Sequence, residues 1–470
     1  MIEMDFATLA QEIGGTLVND TIASTVFRGV SIDSRTIKEA ELFIAIKGEN
    51  NDGHEYIRDA LKKKCAGLVI NRDYQYLDEI GDNVPVVRVE NTHHSMMRLA
   101  AVYRQQANTK IIAITGSNGK TTTKEFVYAL IQSFDKTCYR SSGNLNNLYG
   151  LPLAIFGMPV DTEYGIFELG ISVPGEMTRL AMMAAPDLAV ITNVGPTHLE
   201  TLSTVENVAE AKFELVDTLG VDKPVIINAD DPIVMQAAAK RERDFFTYGL
   251  DTSADIHAER AVVSEDGLPT VKIDGYPVKI RLFGDHQVYN LLAAYAVCRV
   301  LGMDIKPDEL NDINFDFAPY RGEIENINGL TLIADCYNAN PVSMKSGLES
   351  FARYIKTPAM KGRRSIVVIG DMLELGEKTG EFHRRIGELL VQLNFDNILT
   401  VGPLSVDIDR AAIEKGLNRK NIKHFDNTEN AGEALMADIK RGDIVYIKAS
   451  RGIGLEKIII LLKGAAFKQN

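Results

Sequence analysis

The chain is predicted to be an α/β protein of three domains, and three observations predict it. Its 470 residues exceed the roughly 250–300 that one hydrophobic core ordinarily organises. Short continuous apolar strands alternate with helical stretches in two separate runs, the pattern of parallel sheets covered on both faces. The first run contains Gly116-Ser117-Asn118-Gly119-Lys120-Thr121-Thr122-Thr123 directly after a strand, where a mononucleotide-binding sheet places its phosphate loop.

Residues 1–90 read as a small N-terminal α/β domain, with strand Leu42–Ile46, a helix over Gly53–Lys64 and strand Gly67–Ile70. Residues 91–318 read as the central domain. It opens with a helix over Thr92–Gln106, and strand Lys110–Thr115 then enters the glycine loop and a helix to about Ser133. Buried-type strands follow at Gly165–Leu169, Leu188–Asn193 and Val225–Asn228. Between 255 and 284 the pattern changes to alternation, with turns at Glu265-Asp266-Gly267 and Asp274-Gly275. That change predicts an antiparallel hairpin insertion, closed by a helix over His286–Leu301. The Pro-, Asn- and Asp-rich stretch Pro307–Pro319 reads as a linker. Residues 319–470 then start a second doubly wound unit with strand Leu330–Ala334, helix Val342–Tyr354 and strand Ser365–Ile369. It runs to Ile444–Lys448 and a last helix near Leu455–Leu462. This domain is Rossmann-like in organisation, but without a G-x-G-x-x-G opening no dinucleotide is expected there.

Composition narrows the function classes. Hydrophobic residues make up 45% and charged residues 24% of the chain, the balance of a soluble globular protein. A net charge of −13 and a pI near 5.2 argue against nucleic acid as the main partner. The start, MIEMDFATLAQEIGG, has no apolar signal region, and no apolar run approaches the ~20 residues of a membrane span. A cytoplasmic monomer without stable membrane insertion is expected. Cys65, Cys138, Cys298 and Cys336 are scattered without metal-ligand spacing, which predicts buried reduced thiols.

The phosphate loop carries the most specific chemistry. Its glycines let successive backbone N–H groups face inward at a helix N-terminus, an anion nest suited to ATP. Lys120 adds a mobile positive charge for the β- and γ-phosphates, and the Thr121 hydroxyl can ligate Mg²⁺. Ile114 stands where the strict eight-residue pattern has its first glycine, so the loop is the shorter G-x-x-G-K-T form. Glu168 ends a buried strand, where open α/β sheets place their ligands, and Asp335 does the same in the last domain. Arg321 follows the linker and is a natural phosphate clamp, being always charged and bidentate.

TGSNGKTTTKE resembles the phosphate loop of the Mur ligases, cytoplasmic enzymes that build the peptide stem of peptidoglycan. The resemblance covers essentially the whole chain. It falls on Ser31-Ile32-Asp33-Ser34-Arg35, Lys47-Gly48 with Asp52-Gly53-His54, Asn144-Leu145-Asn146-Asn147, and Phe167-Glu168-Leu169-Gly170. It continues through Thr192-Asn193-Val194-Gly195-Pro196-Thr197-His198, Ala211-Lys212, His286 with Asn290, Arg321 and Tyr337-Asn338-Ala339-Asn340-Pro341. Gly370-Asp371-Met372-Leu373-Glu374-Leu375-Gly376 and Lys448-Ala449-Ser450-Arg451-Gly452 complete it. Within the family the match leans to the last cytoplasmic step, addition of D-alanyl-D-alanine to UDP-N-acetylmuramoyl-tripeptide. The D-N-P-R string of the tripeptide-forming relatives is absent. Folylpolyglutamate synthetases share the loop but not this N-terminal domain.

The resemblance implies an ATP-dependent amide ligase working through an acyl phosphate, with two Mg²⁺ ions. It implies that Thr121, Glu168, His198 and Lys212, the last as a carbamate, ligate metal. Composition alone would leave Lys212 a solvated helical lysine. Lys120, Glu168, His198, Lys212 and Arg321 become the catalytic set. The loop from Gly116 through Thr122, His286 and Asn290 near the adenine, Arg321, and Asp335 at the ribose become the ATP site. The relatives usually have His-Asn where this chain has His286-Gln287. Ser34, Arg35, Lys47, Asp52, Gly53 and His54 are implied at the UDP-sugar, and Asn144, Asn146 and Asn147 at the sugar or peptide. The last domain is implied to bring D-alanyl-D-alanine, with Asp371, Glu374 and Lys448 as its candidates; His383 reads as a structural helix residue. The alternatives are the tripeptide-forming ligation and a P-loop kinase or NTPase that transfers phosphate and stops.

Overall fold

The computed structural model of the chain describes residues 2–18, 20–48, 51–77, 80–264 and 266–464. Two compact units emerge. The first comprises Met1–Thr115, Ile131–Val190 and Glu214–Pro224, and the second Gly116–Leu130, Ile191–Phe213 and Val225–Asn470. Both are α/β, as the alternation of strands and helices predicts.

The first unit carries a five-stranded sheet in the order Thr16–Leu17, Val86–Val89, Gly67–Asn71, Leu42–Ile44 and Val30–Ser31. Only its first pair is antiparallel. Phe43, Leu68 and Ile70 lie on one face against Ile57 and Ala60 of the following helix, all essentially without solvent exposure. The single helix expected over Gly53–Lys64 is split. The turn Gly53–Tyr56 is a 3₁₀ helix whose N-cap, Asp52, accepts from the His54 amide, and the α-helix runs only over Ile57–Lys62. The same unit holds parallel strands Cys138–Arg140, Tyr164–Glu168 and Lys110–Thr115. Glu168 is paired opposite Ile114 at the C-terminal end of that ladder.

In the second unit Val225–Asn228, Phe246–Gly249 and Ile256–Val263 run parallel, and Pro269–Ile273 and Tyr276–Lys279 continue antiparallel. The expected insertion is therefore present, with its first strand joined in parallel to the preceding one. Glu265, in the first expected turn, lies outside the described residues. Helix His286–Val300 packs on these strands and is buried almost all round. A six-stranded sheet follows in the order Glu323–Ile327, Leu330–Ala334, Ile444–Lys448, Ser365–Gly370, Asn397–Val401 and Ile422–Phe425. All its pairs are parallel except the first. Apolar clusters cover both its faces: Met344, Leu348, Phe351 and Ile386 on one, Leu435, Ile458, Ile459 and Leu462 on the other.

Three expectations need correction. Pro307–Pro319 is not a bare linker. Pro307–Asn311 forms a 3₁₀ turn with Pro307 and Leu310 buried, and Phe315 and Phe317 meet the Phe126 ring edge-on at 4.8 and 5.0 Å. Packing two half-buried rings against the buried Phe126 outweighs the stretch's turn-rich composition. Glu323–Ile327 was not expected as a strand, yet Asn328-Gly329, both at positive φ (52° and 90°), joins it to Leu330–Ala334 as a two-residue hairpin. The four cysteines are free, but Cys65 and Cys138 are only half-buried. Among the described residues no helix is long and apolar enough to cross a membrane.

Candidate active site

In the second unit the phosphate loop is shaped by what surrounds its glycines. A Cβ on Gly116 would lie 1.9 Å from Thr192 Oγ1, and one on Gly119 (φ 80°) would lie 2.1 Å from Asn290 Oδ1. The loop is then laced to the segment after strand Leu188–Ile191. Asn193 accepts from the Ser117 amide with its carbonyl and from the Asn118 amide with Oδ1, both at 2.9 Å. Thr192 Oγ1 and Asn193 Nδ2 donate to the Asn118 carbonyl at 2.6 and 3.0 Å. Ser117 Oγ accepts from the Gly195 amide at 2.9 Å. Lys120 Nζ folds back to donate to the Gly116 carbonyl at 2.8 Å. Thr121 and Thr122 are buried at the start of helix Lys120–Gln132. Sequence reading placed Thr192 and Asn193 in a motif but assigned them nothing; they are the loop's scaffold.

A second chain of contacts runs through helix His286–Val300. Thr123 Oγ1 donates to Asn290 Oδ1 (3.4 Å), Asn290 Nδ2 to Gln287 Oε1 (2.8 Å), and Gln287 Nε2 to the Arg321 carbonyl (3.1 Å). Gln287, the departure from the usual His-Asn pair, thus joins Asn290 to the Arg321 turn. The Arg321 guanidinium stacks 3.7 Å over Tyr337, and Arg451 approaches the same ring at 5.6 Å. Asn340 caps helix Pro341–Tyr354 and donates through Nδ2 to Asn118 Oδ1 at 2.6 Å.

Among the buried nitrogens of this unit that lack a hydrogen-bond partner are Asn118 Nδ2, His286 Nδ1 and Arg321 Nε. An unmet buried polar atom ordinarily costs about 1–3 kcal/mol. Their occurrence on three residues expected at the nucleotide fits a polar ligand that supplies the missing partners. Burial lowers the His286 pKa, against the opposing charge of Asp335, which favours a neutral ring.

Lys212, on helix Val205–Thr218, is 2% exposed. Burial pushes its ammonium well below the ordinary lysine value, and the charge of Lys120 adds to the shift. Among the described residues no carboxylate pairs with it. His198 sits in a left-handed turn (φ 54°), and its Nδ1 lies 2.7 Å from Glu374 Oε2. That contact holds the Glu374 carboxyl below its usual range, against the effect of burial. Among the described residues no three His, Cys, Asp or Glu side chains form a ready-made metal cage. One or two carboxylates, completed by water and nucleotide phosphates, are the form in which Mg²⁺ is ordinarily held.

Asp335 Oδ2 accepts from Lys448 Nζ at 2.8 Å and Tyr446 Oη at 2.9 Å, a fully interior group. Asp371 is equally interior: its carboxylate accepts from the Ser405 and Leu404 amides at 2.7 and 3.2 Å, while burial raises its pKa. Asp371, Glu374 and Lys448 therefore each have a separate internal partner. His383 accepts from the Met372 amide through Nε2 at 3.1 Å, and its Nδ1 meets the Thr379 carbonyl at 2.7 Å, so both nitrogens organise the loop.

In the first unit Glu168, 4% exposed, accepts from Asn146 Nδ2 at 2.8 Å. Asn147 Oδ1 accepts from the Gly150 and Tyr149 amides and so starts helix Gly150–Gly157, while Asn144 stays exposed. A cavity of about 580 Å³ is lined by Lys47, Asp52, His54, Arg58, Tyr74 and Tyr76, among others. His54 is fixed from both sides, with Nδ1 2.6 Å from Asp52 Oδ1, Nε2 accepting from the Asn71 amide at 3.0 Å, and its ring stacked on Tyr74. Gly53 has no room for a Cβ, which would lie 2.7 Å from the Ile46 amide nitrogen. Ser34 and Arg35 are not on the cavity wall. Ser34 is buried, and Arg35 reaches into solvent with its guanidinium gripped by Asp33. Arg58, Tyr74 and Tyr76 were not singled out from sequence.

Comparison with known proteins decides the family. The Mur ligase middle domain matches residues 114–298, the Mur ligase glutamate ligase domain residues 321–451, and the Mur ligase family catalytic domain residues 26–109. A UDP-N-acetylmuramoyl-tripeptide--D-alanyl-D-alanine ligase of Bacillus subtilis is 33% identical over 462 residues, 98% of each chain. The chain belongs to the Mur ligase family. A ligase of the same name from Rickettsia prowazekii is 31% identical over 92% of this Mur ligase and 94% of its own length. The crystal structure of a MurF ligase from Thermotoga maritima in complex with ADP matches with a TM-score of 0.80 and 27% identity. It covers 93% of this Mur ligase and 97% of that chain. A MurF from Acinetobacter baumannii superposes with a TM-score of 0.86 over 99% of this chain and 100% of its own, at 23% identity. The fold of this Mur ligase is the three-domain α/β architecture those structures share.

Proposed function

We propose that this Mur ligase joins D-alanyl-D-alanine to UDP-N-acetylmuramoyl-tripeptide at the expense of ATP, in the making of the peptidoglycan precursor. The observation that carries the reading is a phosphate loop sterically set by Thr192 and Asn290, whose Lys120 acts electrostatically on a buried lysine that no described carboxylate neutralises, in a chain matching such ligases over 98% of its length. Residues 1–90 form the UDP-sugar domain, 91–318 the ATP domain and 319–470 the domain that brings the dipeptide.

The tripeptide carboxylate attacks the γ-phosphorus, the bond to the β-phosphate oxygen breaks, and ADP leaves. The dipeptide amine then attacks the acyl carbon, and the tetrahedral intermediate expels inorganic phosphate as the C–N bond forms. Both steps load negative charge on oxygen, so cationic and N–H donors aimed at those oxygens supply most of the acceleration. Lys120 and the loop amides hold the β- and γ-phosphates, and Arg321, flat on Tyr337, clamps phosphate. His286 and Asn290 serve the adenine, and Asp335 serves the ribose. Glu168 ligates metal and accepts the amine proton, while Thr121, His198 and Lys212 supply further ligands for two Mg²⁺. Magnesium there supplies charge neutralisation on the transferred phosphoryl group. The low pKa of Lys212 supports its carbamylation, since only the neutral amine adds CO₂. Lys47, Asp52, Gly53 and His54 serve the cavity that takes the UDP-sugar, with Ser34 and Arg35 outside its wall. Asn144, Asn146 and Asn147 serve the sugar or peptide. Asp371, Glu374 and Lys448 are the candidates for the dipeptide.

The test is phosphate release from ATP and Mg²⁺ with UDP-N-acetylmuramoyl-tripeptide, with and without D-alanyl-D-alanine. The reading expects release only with both substrates, and one new amide per ATP. A phosphorylated product without an amide identifies a kinase instead. A carbamate resonance from ¹³C-bicarbonate, lost in Lys212→Met, is the expected mark of the modification.

A further inference from the structure

We infer that Glu374 is a positioning residue for His198, holding the imidazole with its proton on Nδ1 so that Nε2 keeps a lone pair for a divalent cation. The metal part of this inference rests on the reading of His198 as a ligand. A carboxylate only accepts, so the 2.7 Å contact from Nδ1 to Glu374 Oε2 makes Nδ1 the donor and leaves Nε2 unprotonated in the neutral ring. A carboxylate behind a metal-ligating histidine orients the ring and raises its basicity.

The pair is built rather than incidental. His198 and Glu374 are both non-glycine residues in the left-handed region, at φ 54° and 63°. Such residues persist only where their surroundings over-determine them, and they cluster at functional sites. Here the surroundings do so. The Leu199 amide donates to the Glu374 carbonyl at 3.1 Å, a second bond between the same two turns. Gly376 (φ 59°) lets them approach, since a Cβ there would lie 3.2 Å from Glu200 Cα. Behind Glu374, Asp371 accepts from the Ser405 and Leu404 amides, the Met372 amide donates to His383, and the Leu373 amide donates to Ser450 Oγ at 3.0 Å. The Glu374 side chain is 62% exposed and that of His198 28%. A contact this open adds little stability, so stability alone does not account for the construction.

The experiment has two readouts on the full chain. ¹⁵N spectra of histidine-labelled protein, with His198 assigned from its loss in His198→Ala, report the tautomer without metal. Wild type is expected as Nδ1–H, and Glu374→Ala as shifted to the Nε2–H form that free imidazole favours. Glu374→Gln, whose amide oxygen still accepts, is expected to keep Nδ1–H. Binding of Mn²⁺ with a non-hydrolysable ATP analogue is the second readout: Glu374→Ala should weaken it by about 10–100-fold, bounded by His198→Ala, with Glu374→Gln between. An unchanged tautomer in a folded Glu374→Ala overturns the positioning role. Weakening by His198→Ala but not by Glu374→Ala overturns its reach to the metal. No weakening by His198→Ala overturns the ligand reading instead, while the tautomer still decides whether Glu374 orients the ring. Should Glu374→Ala melt well below wild type, Glu374→Gln carries the metal comparison, and affinity equal to wild type there counts against the inference.

Discussion

At Gly119 the backbone is shaped by what would collide with it; at His54 a side chain is shaped by what bonds to it. The phosphate loop leaves no space for a methyl group against Thr192 or Asn290, and its amides are tied to the Thr192–Gly195 segment. The N-terminal cavity instead depends on polar side chains holding one another, Asp52 on His54 and His54 on the Asn71 amide, with Tyr76 open to solvent. The first arrangement is set before any ligand arrives. The second is polar, wide and open to solvent at Tyr76, and we propose that it seats a bulky sugar nucleotide. On that reading, rigidity is placed where phosphate is handled, and tolerance where a large substrate must be seated.

The sharpest way to separate the two regions is Lys212→Met. It removes a buried amine that no carboxylate among the described residues neutralises, so thermal unfolding should stay level or rise. Turnover in the phosphate-release assay should fall on the order of 100–1000-fold; a destabilised protein with retained turnover would make Lys212 a plain core residue. Gly119→Ala comes next. The new methyl must displace Asn290, and turnover and analogue binding should fall together by about 100-fold, whereas normal ATP affinity would show the loop to be as adjustable as the cavity. His54→Ala should act on the other substrate alone. It strands the Asn71 amide at a cost of about 1–3 kcal/mol in chemical denaturation. It should raise KM for the sugar nucleotide about tenfold, a 1.4 kcal/mol change, with KM for ATP unmoved; movement of both would link the two regions.

Asp33 gives the smallest effect. Hydrogen bonds from Arg35 lower its carboxyl from 3.8 to about 2. A depressed carboxyl stabilises the folded chain fully above the unfolded value of about 3.9 and loses that contribution as pH falls through about 2. An NMR titration of Asp33 should find its midpoint near 2, and Asp33→Asn should flatten the acid limb of the stability curve by removing a small contribution that is fully present at neutral pH and gone below about 2. A midpoint at about 4 would mean that Arg35 is not held.

Much of this was legible from sequence because local pattern and local structure coincide. Ile111–Thr115 reads as a buried strand and is one, and Gly116 and Gly119 mark a turn that tolerates no side chain. The hairpin through Asn328-Gly329 is also written locally, in a two-residue turn beside a segment, Glu323–Ile327, whose polar residues do not show the apolar run of the other strands. Phe315 and Phe317 misled in the opposite direction, as two rings within a turn-rich segment outweighed its composition. The site's finer wiring left no such trace. Nothing in the helical period around Lys212 announces a solvent-free amine, and nothing near Glu374 names His198 as its partner. Those contacts join distant stretches of chain, and periodicity carries no information about them. Asp371 and Lys448, expected at a substrate, turned out to have internal partners for the same reason.

The segment 371–376 has a bearing on how such chains exchange parts. Five of its six members answer to other stretches: Asp371 to 404–405, Met372 to His383, Leu373 to Ser450, and Glu374 and Gly376 to 198–200. A crossover between Leu373 and Glu374 would leave all of these contacts facing strangers. In shuffled libraries of related sequences, junctions should survive on either side of the segment and be missing from within it, so that it passes between parents as a single heritable word.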